Sequence, residues 1–186
     1  MIFWITLAII ALYLIVTYNS LVSIKHQVEK AWANIDVLLV QRSEELPKLI
    51  DTCKAYMTHE AQTLEKVVQA RLGVDAARQK HDIAELGIAE STLASSLGGL
   101  FALVESYPDL KADQTFLNLQ QRITGLENQI ADRREFYNDS ATNNNVRIKQ
   151  FPDLIVAALF NFERAEMLKF SSEQVKDIDV GSRFNS

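Results

Sequence analysis

The feature that most constrains this chain is an N-terminal run without any charge. The first charged side chain is Lys25, so the preceding 24 residues carry none. Residues 2–22 supply about 20 mostly apolar positions, the length that an α-helix needs to cross a bilayer core. We therefore predict a transmembrane anchor over residues 1–22. The aromatic residues suited to its interfaces are Trp4, Tyr13 and Tyr18.

Two alternatives to a retained anchor are a cleaved signal peptide and a buried helix of a soluble core. A signal peptide needs a basic start and a small-x-small cleavage site, whereas no Lys or Arg precedes the run, and Ala8 and Ala11 are spaced wrongly. A soluble core helix would need a protein partner on every face. Lys25 and Lys30 follow the span, which predicts an outside N-terminus and a cytoplasmic body.

Composition narrows the fold of the remaining chain. Only 6 Gly and 3 Pro occur in 186 residues, which is too few for a sandwich, a barrel or an alternating βαβ fold. The single cysteine, Cys53, excludes an intrachain disulfide. A net charge of −5 argues against a nucleic-acid partner.

Heptad spacing predicts long helices in the body. The first apolar seam contains Arg42, Glu60 and Thr63 as its polar members, and it crosses Pro47 without losing phase. We read it as one kinked helix from Asn19 to about Arg78, with a turn near 78–82. The first seam is Val28, Trp32, Ile35, Leu39, Arg42, Leu46, Leu49, Cys53, Tyr56, Glu60, Thr63, Val67 and Ala70.

Three more helices follow in the same pattern. The second, from Asp82, stops at Tyr107 before Pro108, and Asp113 is the expected N-cap of the third. The predicted fold is all-α: a transmembrane helix continuing into an elongated antiparallel, up-down bundle of about four helices. The bundle is assigned to 23–170, and 171–186 is predicted to be a flexible tail.

Helix lengths suggest assembly. At about 1.5 Å per residue, the second predicted helix is much shorter than the first and returns only part of the way along it. The membrane-proximal end of the first seam is then left without a partner in its own chain. We predict that this seam is a homo-oligomer interface; the alternative is that the C-terminal segment folds back to cover it. The predicted interface residues are Val28, Trp32, Ile35 and Leu39.

The fourth helix is short and apolar nearly all round, over 154–160. The same arithmetic places 154–162 far from the anchoring membrane. We favour a cap on the bundle core, and the alternative is contact with a neighbouring subunit or an opposing membrane.

Signals of catalysis are scarce. Phosphate-binding loops, a nucleophile elbow and paired Glu-x-x-His ligands are missing, so no catalytic, cofactor or metal site is predicted. His59 and Glu60 are neighbours whose side chains point about 100° apart on a helix. We interpret Glu60 as a buried specificity residue paired with a seam arginine, Arg42 or Arg133, and Cys53 as a packing residue.

Several motifs together resemble the LemA family. They include Ala31-Trp32-Ala33-Asn34-Ile35-Asp36, the stretch 104–112 (VESYPDLKA) and Phe151-Pro152, and they run nearly the full length. The chain departs from the family at Asn144, where a Tyr is usual, and at Lys48, where an Asn is usual. The motif residues carried over are Arg42, Pro47, Glu60, Glu105, Tyr107, Pro108, Tyr137, Asn138, Phe151 and Pro152.

The resemblance implies a membrane-anchored helical bundle in the bacterial inner membrane, without an established reaction. Relatives at magnetosome membranes suggest a membrane-organising role. We therefore expect a single-pass scaffold that contacts lipid, self-assembles and organises or remodels the membrane. The alternative is a membrane-tethered adaptor in signalling or envelope stress that binds another protein; an enzyme is not expected.

Overall fold

The protein is all-α throughout residues 1–169, which are the residues that the computed structural model describes. Six helices occur in this range: α1 Ile2–Lys54, α2 Ala61–Lys80, α3 Ile83–Val104, α4 Pro108–Lys111, α5 Gln114–Arg147 and α6 Asp153–Leu159. The predicted fold class is thereby confirmed. The tail predicted over 171–186 lies outside the described residues.

The described helices group into two compact units. The first unit contains residues 1–38 and 129–167, and the second contains 39–128 together with the described residues 168 and 169. Helices α1 and α5 each contribute residues to both units. The two units are described separately below.

The predicted continuous helix from Asn19 to Arg78 is wrong, because α1 ends at Lys54 and α2 begins only at Ala61. The carbonyl of Cys53 accepts hydrogen bonds from the amides of Tyr56 and Met57, which closes the end of α1. The intervening turn happens to preserve the heptad phase, so phase alone did not reveal the break. Pro47, by contrast, lies inside α1, as predicted.

Capping residues define the other helix ends. His81 adopts a left-handed conformation (φ 56°) after α2, and the Asp82 side chain accepts a hydrogen bond from the amide of Glu85 at the start of α3. Asp113 accepts one from the amide of Phe116, which confirms it as the cap of α5. Pro108 occupies the first turn of α4, where a missing N–H is harmless.

The second unit has a core of leucines on α3. Leu86, Leu93, Leu97 and Leu100 are buried there, and α3 packs against α2. The first unit has its own buried residues along the early part of α1 and the late part of α5. They are Thr17, Leu21, Ala31, Ile35, Ile130, Tyr137, Ser140, Ala141 and Asn144, together with Val156 and Ala157 of α6.

Candidate functional site

Most of the predicted anchor is exposed. Every residue of 1–16 is exposed, although nearly all are apolar. A water-soluble fold would have to leave this whole surface wet, whereas lipid would cover it. Within residues 1–169, two helices, α1 and α3, are long and apolar enough to cross a membrane. In α3, however, the leucine face is buried in the second unit, so α1 is the helix that fits a membrane location.

Most of the seam predicted to lack a partner is covered by the chain itself, with Val28, Trp32 and Ile35 in the first unit and Leu39 in the second. Ile35 and Leu39 are fully buried, and the ring of Trp32 meets that of Tyr137 edge to face at 6.0 Å. Val28 is half-buried. The premise of the oligomer-interface prediction is therefore wrong, because it assumed a continuous first helix that left this seam uncovered.

The C-terminal segment 160–166, here called the strap, covers part of α1 instead. The ring of Tyr18 contacts those of Phe160 and Phe162, at centroid distances of 4.7 and 5.9 Å. The strap and α1 together line a pocket of about 550 Å³ that includes Val28. The fold-back alternative is the arrangement found.

Side chains of α5 hold the strap by its backbone. Asn145 donates to the carbonyl of Ala165 at 2.8 Å and accepts from its amide at 2.9 Å. Asn144 donates to the backbone carbonyl of Glu163 at 3.1 Å. The hydroxyl of Tyr137 donates to the backbone carbonyl of Glu166 at 2.8 Å. The Asn144-Asn145 pair that departs from the family pattern thus has a defined task. The sequence did not predict these contacts with the strap. The available signal was two adjacent amide side chains near the end of a long apolar helix pattern.

A buried ion cluster is the main polar feature of the second unit. Arg42 is 1% exposed and Glu90 is 4% exposed. The Arg42 guanidinium donates to both carboxylate oxygens of Glu90, at 3.0 and 2.5 Å, and to Glu127 at 2.8 Å. This fork uses the planar geometry that distinguishes arginine from lysine. The cluster therefore joins α1, α3 and α5 at one defined register.

Burial and neighbouring charges shift the pKa values of two members of this cluster, Arg42 and Glu127. Burial by itself lowers the pKa of Arg42, but the charge and hydrogen bonds of Glu90, and then those of Glu127, raise it overall. Burial raises the pKa of Glu127, with the nearby Glu90 adding to the effect and Arg42 opposing it. Arg42 is thus held charged, while burial disfavours the ionised form of Glu127.

The predicted partner of Glu60 is wrong. Arg42 binds Glu90 and Glu127, and Arg133 is exposed in the first unit. Glu60 instead precedes α2, half-buried, and accepts a 3.4 Å hydrogen bond from the hydroxyl of Tyr107. The seam identified a polar position near the core but assumed a helix through 55–60, where the chain turns.

Cys53 is fully buried, and burial raises the pKa of its thiol to about 11. It therefore packs and does not act as a nucleophile.

Glu105 pairs with Lys111 after α3, and Phe151 is exposed before Pro152 and α6. Asn138 is half-buried on α5. Residues 1–169 contain no His, Cys, Asp and Glu cluster that could hold a metal.

Comparison with known proteins agrees with the sequence motifs. A LemA family profile matches residues 31–181. The chain is 28% identical to Protein LemA of Metamycoplasma hominis, over 90% of this chain and 75% of that protein. It is 35% identical to Magnetosome protein MamQ 2 of Paramagnetospirillum magneticum and 33% to MamQ of Magnetospirillum gryphiswaldense, each over 42% of this chain. These matches span only 29% of either magnetosome relative.

Proposed function

We propose that this chain, which belongs to the LemA family, is a single-pass scaffold that self-assembles and organises or remodels the bacterial inner membrane. One observation carries the proposal: α1 runs unbroken from an exposed, charge-free segment into charged and buried positions of the helical units. A continuous helix connects the folded body to the bilayer without a flexible linker. Such a connection suits a protein that shapes the membrane better than one that only tethers a partner to it.

Two further observations support this function. The ion cluster of Arg42, Glu90 and Glu127 fixes the register of three helices, and a scaffold needs one defined shape to repeat itself. Two relatives are named as magnetosome proteins, which fits a membrane-associated function. Because Ile35 and Leu39 are buried within the chain, self-association would use other, exposed surface.

Electron cryomicroscopy of the full chain in vesicles of equimolar phosphatidylcholine and phosphatidylglycerol tests the proposal. We expect ordered assemblies of many copies on vesicles whose curvature departs from that of protein-free vesicles. The matched control lacks residues 1–22 and should leave the vesicles round and bare. Isolated small particles on undeformed vesicles would contradict the scaffold.

That contradicting result would favour the second candidate, a membrane-tethered adaptor. An open groove of about 670 Å³ between α2 and α3 is the feature that supports an adaptor, because small and polar side chains leave room there for another chain. Its lining includes Lys66, Gln69, Gly73, Thr92 and Ser96. An adaptor would act as one or two copies and would not bend the bilayer.

We also propose that the body faces the cytoplasm. Lys25 and Lys30 lie just beyond the apolar segment, and basic residues flanking a span favour the cytoplasmic side. A phosphatase reporter fused after Ser186 should stay inactive, since it needs the periplasm, while a fluorescent reporter at the same site should fold. An active phosphatase fusion would reverse the orientation.

A further inference from the structure

Helix α6 lies beside the last part of the apolar segment, not far from it as the sequence had predicted. Val156 and Ala157 form a buried cluster with Leu21, and Ile148 and Phe162 pack around it. The hydroxyl of Tyr13 lies 3.4 Å from a carboxylate oxygen of Asp153. The sequence prediction failed because it counted distance along helices that it had taken to be longer.

The outward face of α6 and its flanks is entirely apolar. Its residues are Phe151, Leu154, Ile155, Ala158, Leu159 and Phe160, and none is charged or polar. Phe151 is 74% exposed and Leu159 is 68% exposed. A cap on a soluble core would bury such residues, whereas the only apolar residues of α6 that are buried are Val156 and Ala157.

The charge that α6 does carry points inward. Asp153 is 6% exposed, lies 2.5 Å from the Nε of Arg147 and contacts the Tyr13 hydroxyl. The backbone is also satisfied locally: the amide of Leu154 donates to the carbonyl of Gln150 and that of Phe162 to the carbonyl of Ala157. Paired charges and internally bonded backbone are the two conditions for placing a non-spanning element at lipid depth.

The depth of α6 follows from the rise of α1. Residues 2–21 span about 30 Å, which equals the thickness of a bilayer core. Tyr13 precedes Leu21 by about 12 Å along the helix axis. An element lying beside Tyr13 to Leu21 therefore falls within the leaflet nearest the body, where interfacial helices bury their apolar face.

We infer that the segment Phe151–Phe160 inserts into the leaflet nearest the body, as a second lipid-binding element beside the transmembrane helix. Its occupant is lipid, because the patch is continuous with the apolar surface of α1 at that depth. Inserted into one leaflet only, it widens that leaflet and acts as a wedge. The inference rests on the proposed membrane anchorage but not on self-assembly.

Single-cysteine variants of the full chain test this inference in vesicles of equimolar phosphatidylcholine and phosphatidylglycerol. In a Cys53→Ala background, Ile155→Cys and Leu159→Cys would carry an environment-sensitive fluorophore. We expect stronger quenching by a doxyl group near the lipid headgroup than by iodide in water, with a blue-shifted emission. The matched control is Val37→Cys: Val37 and Ile155 are both 55% exposed, but Val37 lies about 24 Å past Leu21 along α1.

A label at Leu12→Cys separates failure of this inference from failure of anchorage. Lipid quenching at Leu12 but iodide quenching at Ile155 and Leu159 would overturn the wedge and leave the anchor intact. Iodide quenching at all three positions would overturn both. Shielding of Ile155 from both quenchers would mean that another protein copy covers the apolar face of α6. Equal lipid quenching at Val37 would mean that the lipid contact is not specific to α6. Either result overturns the inference.

Discussion

Replacing Arg42 by methionine is expected to lower the free energy of unfolding by about 3–5 kcal/mol, because it leaves buried carboxylates without their counter-charge. Glu90 is 4% exposed and receives both guanidinium nitrogens, so water cannot take over the role of Arg42. Methionine retains much of the side-chain volume, which keeps the loss of packing small. The effect therefore reports the charge and its hydrogen bonds.

The buried thiol of Cys53 provides the measurement. Because it is fully buried and its pKa is raised to about 11, it should react with a thiol reagent only after unfolding. Labelling of the full chain in detergent micelles across a urea series then gives the free energy of unfolding. Lys25→Gln is the surface control: its exposed pair with Glu29 should be worth less than about 1 kcal/mol.

Two further variants separate the roles within the cluster. Glu127→Gln should cost less than Arg42→Met, because burial already disfavours the ionised form of Glu127 and raises its pKa. The combination Arg42→Met, Glu90→Met and Glu127→Leu should regain much of the lost stability, since apolar residues of similar volume often replace a buried ion cluster without loss. An Arg42→Met variant as stable as the Lys25→Gln control would show that the cluster does not stabilise the second unit.

The ion cluster also shows how far periodicity reaches. The first seam placed Arg42 on the inner face of α1, and it is buried there. Periodicity assigns a residue to a face but not to a partner, because partners depend on how helices align along their axes. Glu60 illustrates the same limit. The heptad pattern continues in phase across the turn before α2, so it did not reveal that Glu60 lies outside a helix.

The strap escaped prediction for a different reason. Residues 160–166 form no helix, so no hydrophobic period marks where they pack. Their backbone carbonyls are held by hydrogen bonds from the side chains of Asn144, Asn145 and Tyr137, and such contacts leave no periodic pattern in the sequence. The strap's contact with Tyr18 and the position of α6 beside Leu21 could not be read from a hydrophobic period.

Placing two arginines in the exposed apolar segment is expected to abolish stable membrane integration. Ile9 and Leu12 are both exposed and lie three residues apart, on one face of α1. Exchanging an aliphatic residue for arginine near the centre of a span costs about 3–4 kcal/mol, so the Ile9→Arg, Leu12→Arg variant should lose about 6–8 kcal/mol. That difference shifts the insertion equilibrium by several orders of magnitude.

Alkaline carbonate extraction of membranes from expressing cells gives the readout. The original chain should remain in the membrane pellet, and the double variant should move to the supernatant. The matched control is Val37→Arg, Phe136→Arg, which adds the same charge at two exposed positions outside the apolar segment and should stay in the pellet. The α6 wedge alone buries too few residues to resist carbonate, so retention of the Ile9→Arg, Leu12→Arg variant would mean that residues 2–22 do not anchor the protein.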